Sequence, residues 1–155
     1  MERVDKENYY LDIAETVLER GTCLRLRYGA IIVKHDVIVS TGYNGAPRGR
    51  QNCTDIGECT RKKHDVPHGE RYELCRSVHA EANAIIAAPR EQMLGSTLYL
   101  VCHDADGGLM GDTSSCPMCR RLIINAGIAR VIIRNTPEKF TVVNVRDWVE
   151  NDDTM

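Results

Sequence analysis

Two short fragments carry residues able to do chemistry: His79-Ala80-Glu81 and Cys116-Pro117-Met118-Cys119. Cysteines three apart at a helix start project from one face, so both thiolates can grip a single ion. A histidine from a second helix brings the protein ligands to three, the number a catalytic zinc takes when its fourth position is kept for water. Glu81 lies two residues from His79, and that spacing does not put both side chains on one helical face. It belongs beside the activated water and not on the metal. Both helix N-termini would converge there, and their positive dipole ends favour thiolate over thiol. Zinc brings the pKa of a bound water down to about 7, and Glu81 can take that water's proton and pass it on. Taken alone, His79 would more often be an ordinary helix residue, and a lone CxxC is often half of a structural site. Structural sites, however, usually supply four Cys or His ligands.

A paired His-x-Glu and Cys-x-x-Cys, with the glutamate moving protons, is the pattern of zinc deaminases acting at C4 of cytosine or an equivalent amino-bearing carbon. The elements that must position it are legible around it. Leu11, Ala14, Val17 and Leu18 recur at helical spacing, with Gly21 as a stop. Ala30 to Val33 and Val37 to Tyr43 are β-rich runs separated only by Lys34-His35-Asp36, which predicts an antiparallel hairpin. His79 to Ala88 reads as a helix stopped by Pro89, Thr97 to Cys102 as a strand, and Cys116 to Ala126 as a helix with Pro117 in its first turn and Gly127 at its end. Ile128 to Ile133 and Thr141 to Val145 read as strands, and Trp148 docks a short C-terminal helix. Strand–helix–strand units imply parallel pairing, so the sequence predicts a mixed sheet with helices on both faces. The polar stretch from about Asn44 to Val78, with Pro47, Pro67 and three cysteines, reads as a long functional loop insertion.

The chain has 155 residues, the length of one compact domain, and no internal repeat. With 20 Lys and Arg against 22 Asp and Glu, there is no electrostatic case for binding a long nucleic acid. The sequence shows neither a secretion signal nor a membrane-spanning run. Seven cysteines, an odd count, then suit a reducing, cytoplasmic setting, as metal ligands or core thiols.

HAEANAI, CPMC, the following INAGI (Ile124 to Ile128) and the upstream GYNGAP (Gly42 to Pro47) resemble the deoxycytidylate deaminase family from about Cys23 to Val131. The resemblance implies a three-layer α/β/α sandwich on a five-stranded mixed sheet and conversion of dCMP to dUMP. It also implies a homohexamer tuned by dCTP and dTTP, with Mg²⁺ accompanying the nucleotide effector. By the same resemblance Asn44 bonds the sugar, although Asn-Gly alone reads as a turn. One departure stands out: the family usually carries proline just before the first paired cysteine, and this chain has Ser115. The backbone carbonyl that the family sets against the substrate amino group is thereby put in doubt. A second departure is the long connector before the CxxC helix.

Arg25 and Arg27 could meet a phosphate through the bidentate guanidinium fork, although most exposed arginines are merely solvated. Arg90 is a weaker candidate for subunit or effector contacts. Of the spare cysteines, Cys102 reads as a small core residue. Cys23, Cys53, Cys59 and Cys75 flank or occupy the long loop, and a closed structural metal site would keep it ordered. Some members of the resembling family carry a second zinc, and Cys23 and Cys53 match two of its ligands. Cys59 and Cys75 are the choices for the rest, with His68 as the substitute; otherwise these are four reduced thiols. The rival functions are a deaminase of a free base, nucleoside or cofactor aminopyrimidine, and a non-catalytic zinc module. Glu81 argues against the last, because a structural site has no use for a proton carrier.

Overall fold

The structure, a computed structural model, describes residues 1–151. Strands β1 (Leu26–Lys34) and β2 (Val37–Tyr43) form the hairpin, turned by His35 and Asp36 at φ 50° and 63°. Positive φ at both positions lets a two-residue turn match the twist of its strands. The first strand starts at Leu26 and not at Ala30, because Leu26 and Tyr28 alternate with Arg27 and all three pair with the third strand. That strand, β3 (Thr97–Asp104), is followed by β4 (Arg130–Arg134) and β5 (Phe140–Asn144). The sheet order is β2-β1-β3-β4-β5. Its one parallel pair is β3 with β4, and the other neighbours are antiparallel. The mixed five-stranded sheet expected from the sequence is present.

Helix α1 (Lys6–Val17) covers one face. Tyr10, Leu11, Ala14 and Leu18 pack there on Ile31, Val33, Tyr99, Val101 and Ile132. The other face carries α4 (Ala80–Ile86), α6 (Pro117–Ala126) and α7 (Val145–Glu150). Ala80, Ala84, Ile123 and Trp148 pack there on Ala30, Ile32, Leu98, Leu100, Val131 and Ile133. Each fully buried leucine or isoleucine of these two cores contributes about 1.5–3 kcal/mol. Two glycines set how closely the helices approach. A Cβ on Gly29 would lie 2.1 Å from the Ala14 carbonyl oxygen, and one on Gly42 would lie 2.4 Å from the Ala80 carbonyl oxygen. Backbone therefore packs on backbone at both places, and α4, which begins beside His79, is seated directly on the hairpin.

Arg134 is 2 % exposed and ties α1 to the sheet through Asp12 at 2.8 Å and Glu15 at 2.6 Å. Glu15 also meets His103 on β3 at 2.7 Å.

The 44–78 insertion is more ordered than its polar sequence suggests. Its ends are clipped together by the Gly45 and Val78 backbone bonds, 3.1 and 2.7 Å. Between them lie α2 (Cys53–Ile56), α3 (Thr60–Lys63) and a 3₁₀ turn over Tyr72–Leu74. A capping box, in which Asn52 and Asp55 each accept the other's backbone N–H, starts α2. Helices this short rest on caps and carry no apolar period, which is why periodicity does not find them. After α4 the short α5 (Arg90–Met93) leads into β3. Among the described residues no helix is long and apolar enough to cross a membrane.

Candidate active site

His79 is the N-cap of α4 and Cys116 the N-cap of α6, both in extended conformation, with Cys119 in the first turn of α6. β2 and β3 both end beside the start of β1, and the Gly45–Val78 bridge returns the chain to the end of β2, so α4 and α6 begin at the same end of the sheet. Nδ1 of His79 lies 3.6 Å from Cys116 Sγ and 3.4 Å from Cys119 Sγ, and the three ligand atoms all fall within 4.8 Å of one another. Donors held about 2.0–2.3 Å from a tetrahedral centre sit about 3.3–3.8 Å apart. The spacing and the soft thiolate–imidazole donor set both fit zinc. Hydrogen bonds with Cys119 and His79 bring Cys116 down to about 4 against the opposing effect of burial. Cys119 is pushed up, chiefly by its hydrogen bond with Cys116 and by burial.

Glu81 is 4 % exposed and lines a cavity shared with His79, Cys116, Asn44, Tyr28 and Arg25. Burial raises its pKa, with the His79 charge opposing. A raised pKa makes the Glu81 carboxylate a better base toward the proton of a nearby water. Asn44 accepts from the Tyr28 backbone N–H at 2.9 Å and donates to the Leu26 carbonyl at 2.8 Å. That leaves one N–H and one lone pair on its amide for a ligand. Arg25 also reaches the cavity, where its Nη2 lies 3.2 Å from His68 Nδ1. Arg27 stands on the opposite face of β1, its Cβ close to where a Cβ on Gly21 would be. Arg90 is not at the cavity either; it donates to the Asn125 carbonyl. The Ser115 carbonyl accepts from Arg120 Nε at 2.9 Å.

Cys23, Cys53, Cys59 and Cys75 all line the same cavity. Cys53 is raised by burial, and the neighbouring Cys23, Cys75 and Cys59 thiols add to the rise. Among the described residues, His79, Cys116 and Cys119 are the only three ligand atoms within 4.8 Å of one another. The four loop cysteines are neighbours at wider spacing; burial pushes Cys75 up, but hydrogen bonds with His79 and the Ser77 backbone, with the nearby His79 and Arg61 charges, together outweigh it and leave its pKa lowered.

Sequence reasoning overlooked Tyr72 and Arg61. The Tyr72 ring meets His79 edge-on, with centroids 4.9 Å apart at 89°, and the Arg61 guanidinium lies 4.3 Å from the Tyr72 ring centre. Arg61 is itself 6 % exposed and donates to the Glu70 and Pro67 carbonyls. The insertion thus builds a wall of the cavity and braces the histidine from outside. No spacing rule marks these residues. Tyr28 was within reach, since at every second residue it shares the inner face of β1 with Leu26 and Ala30.

The family described as "Cytidine and deoxycytidylate deaminase zinc-binding region" matches residues 4–135. A deoxycytidylate deaminase of Mycobacterium phage D29 is 36 % identical over 137 residues, 85 % of this chain and 96 % of that protein. One from Schizosaccharomyces pombe is 32 % identical over 126 residues, 81 % of this chain but 36 % of that longer protein. The crystal structure of the dCMP deaminase from cyanophage S-TIM5 in complex with dCMP and dUMP superposes with a TM-score of 0.57 at 26 % identity, covering 86 % of this chain and 83 % of that one.

Proposed function

The chain belongs to the cytidine and deoxycytidylate deaminase zinc-binding family, and from that premise we propose that it hydrolyses dCMP to dUMP and ammonia. The observation that carries this reading is the buried Glu81 in one cavity with His79 and Cys116, two of the three clustered metal-ligand candidates. His79, Cys116 and Cys119 hold the metal. Zinc bound there supplies a Lewis acid that lets a water lose its proton near neutral pH. Glu81 would accept that proton and pass it to the ring nitrogen N3, then take the second proton from the hydroxyl now on C4 and pass it to the amino group as the C4–N bond breaks and C4 becomes a carbonyl. Its burial among protein groups keeps bulk water from competing for the proton. Asn44 offers its spare N–H to the sugar, and Arg25 with His68 meets the 5′-phosphate. Arg27, on the far face of its strand, has no part in this.

Around that centre we place a second, structural zinc on Cys23, Cys53, Cys59 and Cys75, supported by their shared cavity wall. The assembly is a homohexamer, and exposed Ile86, Met118 and Leu122 on α4 and α6 offer apolar surface for it. It works in the cytoplasm, where its seven free cysteines stay reduced. dCTP and dTTP, with Mg²⁺, set its activity. The direct test compares dCMP with deoxycytidine, with and without dCTP and Mg²⁺. Charge-assisted bonds to phosphate contribute about 1.5–3 kcal/mol each, so deoxycytidine should be used at least about tenfold less efficiently. Equal efficiency would replace the monophosphate with the nucleoside as substrate, and a response unaffected by dCTP would remove the regulation.

A further inference from the structure

Along the inner face of β1, Ala30 is fully buried in the core. Tyr28, about 7 Å nearer the start of the strand, is the first side chain of that face to border the cavity that holds Glu81. It also borders the open mouth beyond, so it forms a floor running from the reacting end outward. Its backbone is fixed. Asn44 holds the Tyr28 N–H at 2.9 Å and the Leu26 carbonyl at 2.8 Å, and across the sheet Tyr28 pairs with the fully buried Cys102. The side chain packs in part against the core beneath. Tyr72, the other tyrosine of the cavity, is already engaged by His79 and Arg61. Tyr28 has no aromatic or cationic neighbour of that kind among the described residues. The cavity measures about 100 Å³, where a void of about 150 Å³ holds one benzene ring. That is the scale of a single six-membered ring and leaves no room for a fused second one.

We propose that the Tyr28 ring is a specificity-determining wall: the cytosine ring lies against it, and it limits the substrate to a one-ring base. The inference rests on the deamination reading and deepens it by naming the group that turns purine nucleotides away. A metal-activated water and a glutamate act on an amino-bearing carbon beside a ring nitrogen, and adenine offers the same pattern at C6. The chemistry therefore does not separate the two bases, and shape must. A wall rejects a larger ligand by clash, and one packed on the core below and tied through Asn44 beside it yields only at the cost of disturbing both.

The zinc-loaded full chain is assayed first for dCMP turnover. Binding of dUMP and dIMP, one-ring and two-ring nucleotides of equal charge, is then measured by calorimetry. Wild type should bind dUMP at least about tenfold tighter than dIMP. Tyr28→Val and Tyr28→Leu keep an apolar strand residue but lower the wall, and in each the preference for dUMP should shrink at least about fivefold. Tyr28→Phe keeps the ring and should hold the preference within about twofold of wild type. A merely structural tyrosine would weaken both nucleotides alike, and an unchanged ratio in the shortened variants overturns the proposal. So does a wild type that binds dIMP as well as dUMP, or a Tyr28→Phe that loses the preference. Should one shortened variant fail to fold or to hold zinc, the other decides, and failure of both marks a structural role and overturns the proposal. Absence of dCMP turnover by wild type would refute the deamination reading, whereas the calorimetric ratio judges the wall separately.

Discussion

Replacing Tyr72 by alanine should loosen the metal without touching a ligand. The ring meets His79 edge-on at 4.9 Å, and such a pair contributes about 0.5–1.5 kcal/mol beyond buried area. Losing it frees the imidazole to rotate away from the orientation in which Nδ1 faces both sulfurs. If the whole of that energy is spent on orienting His79, zinc affinity falls about 2- to 13-fold. Groups that orient a metal ligand from outside commonly cost 10- to 100-fold (about 1.4–2.7 kcal/mol) when removed, so a drop near about tenfold is the central expectation. Arg61 sits against the same ring at 4.3 Å. In a double-mutant cycle with Arg61→Met it should show coupling of about 0.5–1 kcal/mol. Tyr72→Phe keeps the ring and should stay within about twofold of wild type. The assay is zinc competition against a chromophoric chelator, with thermal melts of the same samples as a check on folding. Unchanged zinc affinity in Tyr72→Ala, or additivity with Arg61→Met, would refute the idea that the insertion braces His79.

Glu81→Gln should retain zinc and fold while lowering kcat at least about 10²-fold, because the role proposed for the side chain is to handle protons and not to bind the ion; near-normal turnover would overturn that role. Cys116→Ala and Cys119→Ala should each lose catalytic zinc and activity together, read by metal analysis of protein kept from chelators. Cys53→Ser should take metal content from about two zinc per chain to about one and open the insertion to proteolysis, whereas a wild-type value near one would rule out the second site. Arg134→Ala should cost about 3 kcal/mol in urea unfolding, at the low end for a buried ion pair because Asp12 and Glu15 keep access to water; a loss below about 1 kcal/mol would show that the network contributes little.

The metal centre was readable because its ligands sit where local rules are strongest. His79 and Cys116 are both N-caps, and proline behind Cys116 marks the first turn. The hairpin and the core strands followed from alternation and β-branched runs. Helix starts and stops were read a residue or two long, since end residues carry no periodic signal. What stayed hidden depends on contacts distant in sequence. Tyr72 reaches His79 only because Gly45 and Val78 clip the insertion shut. Gly29 and Gly42 read as ordinary strand residues until α1 and α4 are laid on them. Arg27 is the instructive case: the alternation of Leu26, Arg27 and Tyr28 already assigns it to the other face, once β1 is allowed to begin at Leu26.

The meeting of the two helix starts also bears on how long the native state lasts. His79 is 37 residues from Cys116 and 40 from Cys119, and these groups meet only after α4, β3 and α6 have docked around the one parallel strand pair. Pairings of such separation form late, after their loop-closure entropy has been met. Interactions absent from the transition state leave the refolding rate alone and act on the unfolding rate. Metal at this junction is therefore a kinetic lock: stripping it shortens the lifetime of the folded chain, while the chain still refolds at its former speed.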